Sequence, residues 1–193
     1  MIYYHFQKLS ILFNNSVSLL LLVMESPLVF DDNDLRKLPE YERLARCEKI
    51  IKYEKDESVR WDAVWLAGEL AVHACLDDDT KSLFYRVSDL MAWVLKNDEN
   101  GVVKHEACYQ IAARNMRNKI PDLIDAALHD KSILTRHEAL ESLGLMRATE
   151  AEDLIKDALI DPSLDVRETA YFVVKRLNRM GQLQRTYAPS SVL

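Results

Sequence analysis

A short frame of residue types recurs along the chain: an apolar residue, a basic one, a variable one, a polar one and an alanine. Residues 59–63, 103–107 and 166–170 fill this frame, and residues 135–139 fill it with Thr135 at the apolar position. Successive copies are roughly 30 residues apart, although the first gap is longer by about a dozen. A repeat of this length indicates a solenoid, in which each unit buries its apolar face only against its neighbours. The sequence therefore predicts an array of about four helical repeats.

Hydrophobic periodicity at helical spacing predicts that each copy of the frame lies on the second helix of a hairpin. Breakers are few, with 4 Gly and 5 Pro in 193 residues, so long helices can form. The predicted hairpins pair residues 40–54 with 57–75, 80–96 with 101–116, 121–129 with 132–147, and 150–160 with 163–179. The sequence therefore predicts an all-α fold, an α-α superhelix or solenoid.

We expect the repeat domain to span residues 40–180 and to be followed by a flexible tail at 181–193. Residues 1–39 are predicted to be an N-terminal extension that is either disordered or partly untranslated, with the true start at Met24. Its apolar run is interrupted by Asn-Asn-Ser at residues 14–16, which leaves it too short to span a bilayer. A small-x-small cleavage site is also missing. These features predict a cytoplasmic protein with no membrane partner.

Charge and cysteine content narrow the class of partner and the compartment. The net charge of −6 is opposite to the basic footprint by which proteins bind nucleic acid. A cationic ligand or a basic protein suits this surface better. Cys47, Cys75 and Cys108 are odd in number, have no paired spacing and fall within helical patterns. We therefore expect no nucleic-acid partner and a reducing cytoplasm.

Two neighbouring copies of the frame carry a His-Glu dipeptide, His105-Glu106 in one and His137-Glu138 in the other. On a wheel of about 100° per residue, the apolar arc of each helix lies away from these residues. Both pairs are therefore predicted to face outward, in register. Because packed helices lie roughly 8–10 Å apart, side chains from such equivalent positions can converge on one ion.

The sequence allows two interpretations of the His-Glu pairs. Two histidines and a carboxylate form the facial ligand set of non-haem Fe(II), which Zn and Mn also accept, so the pairs predict a metal site. The alternative is that they are solvated polar residues on an ordinary repeat surface. A structural zinc is disfavoured, because Cys108 falls on the apolar arc. His73 and His129 have no counterpart in neighbouring copies and are interpreted as ordinary residues.

Several segments resemble deoxyhypusine hydroxylase: 104–107 (KHEA), 136–144 (RHEALESLG) and 165–170 (DVRETA) with 175–177 (KRL). The match covers about half of that family's fold, and it implies HEAT-like repeats. In the family, two similar halves each bring two His-Glu motifs in consecutive repeats to a di-iron centre that activates oxygen. The family's substrate is the deoxyhypusine side chain of a translation factor.

The resemblance implies a role for each matching residue. His105, His137 and Glu138 are implied as Fe(II) ligands. Glu106 is implied both as a residue of the metal-ligand set and as the catalytic carboxylate, which supports the other ligands or binds substrate. The protein would then be an iron-dependent monooxygenase that hydroxylates a deoxyhypusine-type lysine side chain on a protein substrate.

The chain carries two His-Glu motifs, as many as one half of a family member. Its outer copies of the frame have Trp61-Asp62 and Glu168-Thr169 in place of His-Glu. We therefore expect a homodimer in which two chains share a di-iron centre. Trp65, Tyr109 and Phe172 fall off the apolar arc at equivalent positions beside the His-Glu row. They predict an aromatic face that the partner would cover.

Two other function classes compete with the enzyme. A non-catalytic HEAT-type adaptor would bind a protein on its curved face and would need no metal. A lyase-type chaperone for a tetrapyrrole shares this kind of helical repeat, although no residue specifies a pigment site. The sequence has neither a Gly-rich phosphate loop nor a nucleophile elbow.

Overall fold

The computed structural model describes residues 31–74 and 81–187, and the regular structure in this part of the chain is entirely helical. Its α-helices are, in chain order, α1 (Asp32–Arg36), α2 (Glu40–Tyr53), α3 (Glu57–Glu69), α4 (Ala71–Ala74), α5 (Lys81–Asn97), α6 (Gly101–Ala113), α7 (Ile120–His129), α8 (Ile133–Leu145) and α9 (Leu164–Tyr187). Short 3-10 segments lie at Arg117–Lys119, Thr149–Ala151 and Leu154–Ile160. The all-α fold predicted from periodicity is confirmed.

The helices pack as successive hairpins along the chain. Helix α2 packs on α3, α5 on α6, α7 on α8, and the 3-10 segment Leu154–Ile160 on α9. The second helices, α3, α6, α8 and α9, also pack side by side in that order. A second helix therefore meets its own hairpin partner and the second helices of the neighbouring repeats. This arrangement is the α-α superhelix of repeats that the sequence predicts.

Small and apolar residues of the frame form the core between the second helices. The fully buried members are Ala63, Val103, Ala107, Ala139, Val166 and Ala170. Gln110 of α6 packs over Gly68 of α3, so a Cβ on Gly68 would lie 2.1 Å from Oε1 of Gln110 and would force that side chain to move. Cys47 of α2 and Cys108 of α6 are also buried, whereas Cys75 lies outside the described residues.

The basic residue of the frame ties neighbouring repeats together. It bonds an aspartate in the next turn in the pairs Arg60–Asp98 (2.8 Å), Lys104–Asp130 (2.6 Å) and Arg136–Asp161 (2.7 Å). Each aspartate also accepts a backbone N–H at the start of the following helix, as Asp130 does from Ser132 at 2.8 Å. An ion pair and a helix cap thus hold these second helices against the next turn.

The helix boundaries differ from the prediction at several places. The helix predicted at 57–75 ends at Glu69, because Leu70 begins a tighter turn before α4. The stretch predicted as a helix at 150–160 forms 3-10 turns. It contains neither Gly nor Pro, so its composition carries no signal of the change. The last helix continues to Tyr187, beyond its predicted end.

The two ends of the predicted repeat domain also carry helical structure. Helix α1 lies before residue 40 and buries Leu35. The expected start at Met24 lies outside the described residues, as do residues 188–193 of the predicted tail. The division of the chain at residues 40 and 180 stays a prediction. Among the helices that the structure describes, none is both long and apolar enough to cross a membrane.

Candidate metal centre

Helices α6 and α8 bring the two His-Glu dipeptides next to each other. Each helix begins at a side chain that accepts backbone N–H groups of the first turn, Asn100 for α6 and Ser132 for α8. The frame places His105 and His137 at equivalent positions of these two packed helices. One direct contact joins the copies, since Nε2 of His105 lies 3.1 Å from Oε2 of Glu138.

A compact group of potential metal ligands lies on α8. One ligand atom from each of His137, Glu138 and Glu141 falls within 4.8 Å of the others. Nε2 of His137 is 3.8 Å from Oε1 of Glu141. Imidazole nitrogen and carboxylate oxygen suit first-row divalent ions, and bonds of about 2.1 Å place the ligands of one ion roughly 3–4 Å apart. These residues therefore fit a metal ion after small side-chain rotations.

The two glutamates are buried, which corrects the prediction that both His-Glu pairs face outward. Glu106 and Glu138 are only 4% and 6% exposed, whereas the side chains of His105 and His137 are 35% and 33% exposed. The helical wheel predicts which side chains face the hairpin partner, but it does not predict the burial of side chains on the flanks of a helix. Those flanks are covered by the second helices of the neighbouring repeats.

Burial perturbs the titration of the site. Burial, with smaller contributions from Glu141 and Glu106, raises the pKa of Glu138 to about 7. Burial also raises the pKa of Glu106 above its ordinary value. The pKa of His105 is lowered, mainly by burial. Each of these shifts disfavours the charged form of the group, so the charge of a bound cation would stabilise the ionised carboxylates.

Glu106 does not belong to the compact group on α8. Nε2 of Gln110 donates a 2.7 Å hydrogen bond to its Oε1. The buried carboxyl is thereby held against its own helix, one turn further along. Its predicted roles as a metal ligand and as the catalytic carboxylate stay predictions, as do the ligand roles of His105, His137 and Glu138.

Two residues near the site were missed by sequence reasoning. Glu141 lies one helical turn after His137, and the His-x-x-x-Glu spacing is a signal that could have identified it. Thr169 of α9 places Oγ1 2.7 Å from Nδ1 of His137. Thr169 fills the position of the frame that Glu138 fills in α8, so aligning the copies would have paired it with a histidine of the preceding repeat.

The predicted aromatic face is present in part. Rings of Trp61 and Trp65 stack at 6.0 Å, and Trp65 stacks on Tyr109 at 6.2 Å with 7° between the ring planes. Tyr109 is 39% exposed and Phe172 is 63% exposed. Trp65 and Tyr109 therefore form a continuous stack across α3 and α6, at equivalent positions of the frame.

Comparison with protein families identifies the repeats. A model of HEAT repeats matches residues 88–175, which run from α5 into α9 and include both His-Glu dipeptides. The described part of the chain is thus an α-α superhelix that is similar to HEAT repeats over residues 88–175 and carries a His/Glu group able to hold a metal ion.

Curated relatives narrow this class further, since the chain is similar to deoxyhypusine hydroxylases over about half of its length. It is 32% identical to that of Bos taurus over 96 residues, which make up 48% of this chain and 31% of the relative. The enzyme of Homo sapiens is also 32% identical, over 48% of this chain and 32% of the relative. That of Danio rerio is 37% identical over 82 residues, or 42% and 27% of the two chains. The matched segment therefore covers about a third of each relative's length.

Proposed function

We propose that the chain is an iron-dependent hydroxylase that acts on a deoxyhypusine-type lysine side chain of a translation factor. The observation that carries this proposal is the compact group of His137, Glu138 and Glu141, to which His105 is joined through Glu138. Similarity to deoxyhypusine hydroxylases over the same repeats supports the choice of reaction.

Each residue of the site has a proposed part. His137, Glu138 and Glu141 would hold the ion, and His105 would add a second imidazole. Iron bound there would supply the activation of dioxygen. Glu106 is proposed as the catalytic carboxylate that accepts a hydrogen bond from the ammonium group of the substrate, because its buried carboxyl would be stabilised by a nearby cation.

A homodimer would complete the proposed site. The chain has two His-Glu dipeptides, and the matched segment covers only about a third of each relative. A second copy related by a two-fold axis would supply a second set, as a di-iron centre requires. The exposed rings of Tyr109 and Phe172 would give the partner apolar surface to bury. The protein substrate would be met in the cytoplasm.

Hydroxylation of a defined substrate tests the proposal. Protein purified without a His-tag is loaded with Fe(II) and incubated with dioxygen, a reductant and a translation factor that carries deoxyhypusine. Mass spectrometry should show the gain of one oxygen atom on the modified lysine. The gain should be lost with Glu106→Gln and kept with His129→Ala, which alters an exposed histidine of α7. Iron-loaded protein that leaves the substrate unmodified would contradict the hydroxylase and favour the adaptor.

A further inference from the structure

The ring of His137 is held between two helices. Its Nδ1 lies 2.7 Å from Oγ1 of Thr169 on α9, and its Nε2 lies 3.8 Å from Oε1 of Glu141 on its own helix. The first distance is a hydrogen bond, whereas the second is too long to be one. The two nitrogens of one ring are therefore placed differently, one bonded and the other aimed into the His/Glu group.

The position of the ring proton follows from counting hydrogens. Thr169 Oγ1 also lies 2.8 Å from the carbonyl oxygen of Asp165. A carbonyl oxygen only accepts, so the single hydroxyl hydrogen of Thr169 is donated to Asp165. The bond to His137 then requires a hydrogen from the ring, and Nδ1 must carry it. The neutral ring consequently has a free lone pair on Nε2.

His105 differs from His137 in this respect. Its Nε2 lies 3.1 Å from Oε2 of Glu138, within hydrogen-bonding distance, so the nitrogen of His105 that faces the group contacts one of its carboxylates directly. The repeat explains the difference. In both cases the fourth residue of the frame contacts the histidine of the preceding repeat, but Glu138 is a carboxylate and Thr169 is a neutral hydroxyl. Thr169 orients a ring without adding another negative charge to the group.

We propose that Thr169 is a positioning residue that fixes the Nδ1–H tautomer of His137 and thereby presents Nε2 to the metal. A hydrogen bond to the non-ligating nitrogen of a histidine sets both the tautomer and the orientation of the ring. The inference rests on the proposed metal site. To that site, the inference adds that His137 binds the metal through Nε2. It also adds that Thr169 on α9 selects this nitrogen.

Thr169→Val tests the inference, because valine keeps the shape of threonine and removes the hydroxyl. Imidazole nitrogen NMR on metal-free, 15N-labelled protein in mildly alkaline buffer should show the Nδ1–H tautomer of His137 in the wild type and a mixture in the valine variant. Affinity for Fe(II), titrated under argon, should fall by roughly 10–100-fold. Thr169→Ser restores the hydroxyl and should restore both the tautomer and the affinity.

Thr135→Val provides the matched control, since it makes the same exchange on α8, where the hydroxyl contacts the carbonyl of Gly101. It should leave the His137 tautomer and the Fe(II) affinity unchanged. An unchanged tautomer in Thr169→Val would overturn the inference, and so would a changed tautomer with wild-type affinity. Wild-type protein that binds no Fe(II) would instead overturn the metal site itself, which distinguishes the two failures.

Discussion

At the scale of single residues, the centre concentrates carboxyl groups where water is largely excluded. Glu138 and Glu106 are buried, and a ligand atom of Glu141, whose side chain is exposed, lies within 4.8 Å of one of Glu138. Such a cluster costs folding free energy when it is ionised, because burial and like charge both oppose ionisation. Perturbed groups of this kind concentrate at functional sites, where a ligand compensates for the cost.

The raised pKa of Glu138 gives a pH-dependent prediction for the metal-free protein. Folding raises this pKa from an ordinary 4.5 to about 7, so the folded state binds the proton more tightly than the unfolded state. Stability from this group is therefore fully present below the ordinary pKa and is lost as the pH rises through about 7. Glutamine mimics the protonated form, so Glu138→Gln should stabilise the metal-free protein by roughly 3 kcal/mol at alkaline pH.

Urea unfolding at acidic and alkaline pH measures this effect. The wild type should lose stability between the two conditions, and the Glu138→Gln variant should lose less. Glu150→Gln, on an exposed residue paired with Arg117, serves as the control and should not flatten the profile. A Glu138→Gln variant that is less stable than the wild type at alkaline pH would show that the carboxylate is compensated without metal.

The sequence predicted the His-Glu row because both dipeptides occupy the same position of a repeated frame. It did not predict Thr169 or the contact of Glu138 with His105, because both depend on the register between neighbouring repeats. The same reason explains why the glutamates were expected outside. Periodicity within one helix reports the arc that faces its hairpin partner, and the cover supplied by the next repeat is a tertiary property.

At the scale of helices, the basic residue of the frame stabilises the packing of one repeat against the next. Arg136 bonds Asp161 through two nitrogens, at 2.7 and 3.0 Å, and also donates to the carbonyl of Asp130 at 2.9 Å. Both members of the ion pair are buried. Removing one partner of such a pair leaves an uncompensated buried charge, so the link between α8 and the next turn depends on Arg136.

Arg136→Ala should therefore destabilise the protein by about 3–5 kcal/mol. Arg179→Ala, on an exposed arginine of α9, should change stability by less than about 0.5 kcal/mol and serves as the control. Chemical denaturation of both variants at neutral pH gives the comparison. A cost for Arg136→Ala no larger than that for Arg179→Ala would mean that the ladder of basic residues and aspartates contributes no net stability.

Helix type and order were predictable from the sequence, and helix ends were less so. The hairpins appear in the expected order because apolar spacing, few breakers and capping residues agree with one another. The 3-10 turns of Leu154–Ile160 replace a predicted α-helix without any change in composition. These turns pack against α7 and α9. This is a tertiary contact, which a local sequence pattern does not predict.

At the scale of the whole molecule, the chain matches about a third of the length of its relatives and carries two His-Glu dipeptides. The proposed dimer predicts that Tyr109→Glu weakens self-association, because a charge is placed in a face that must lose its water. Tyr109 stacks on Trp65 and is 39% exposed, so the substitution alters the exposed face and also removes this ring contact.

Sedimentation of the wild type and the variant measures this association, with oxygen-dependent turnover recorded on the same samples. Both should fall together in Tyr109→Glu. Tyr53→Glu, on an exposed tyrosine of α2, should leave both unchanged. A wild-type monomer with full iron and full activity would exclude a centre shared between two chains.

The iron content of the purified protein tests the central claim most directly. Protein expressed without a His-tag is analysed for bound metal as the wild type, His105→Ala, His137→Ala, the double variant and the control His129→Ala. The account predicts that the wild type and the control retain iron and that each single variant at the site loses most of it. Full iron occupancy in the double variant would contradict the His/Glu metal centre.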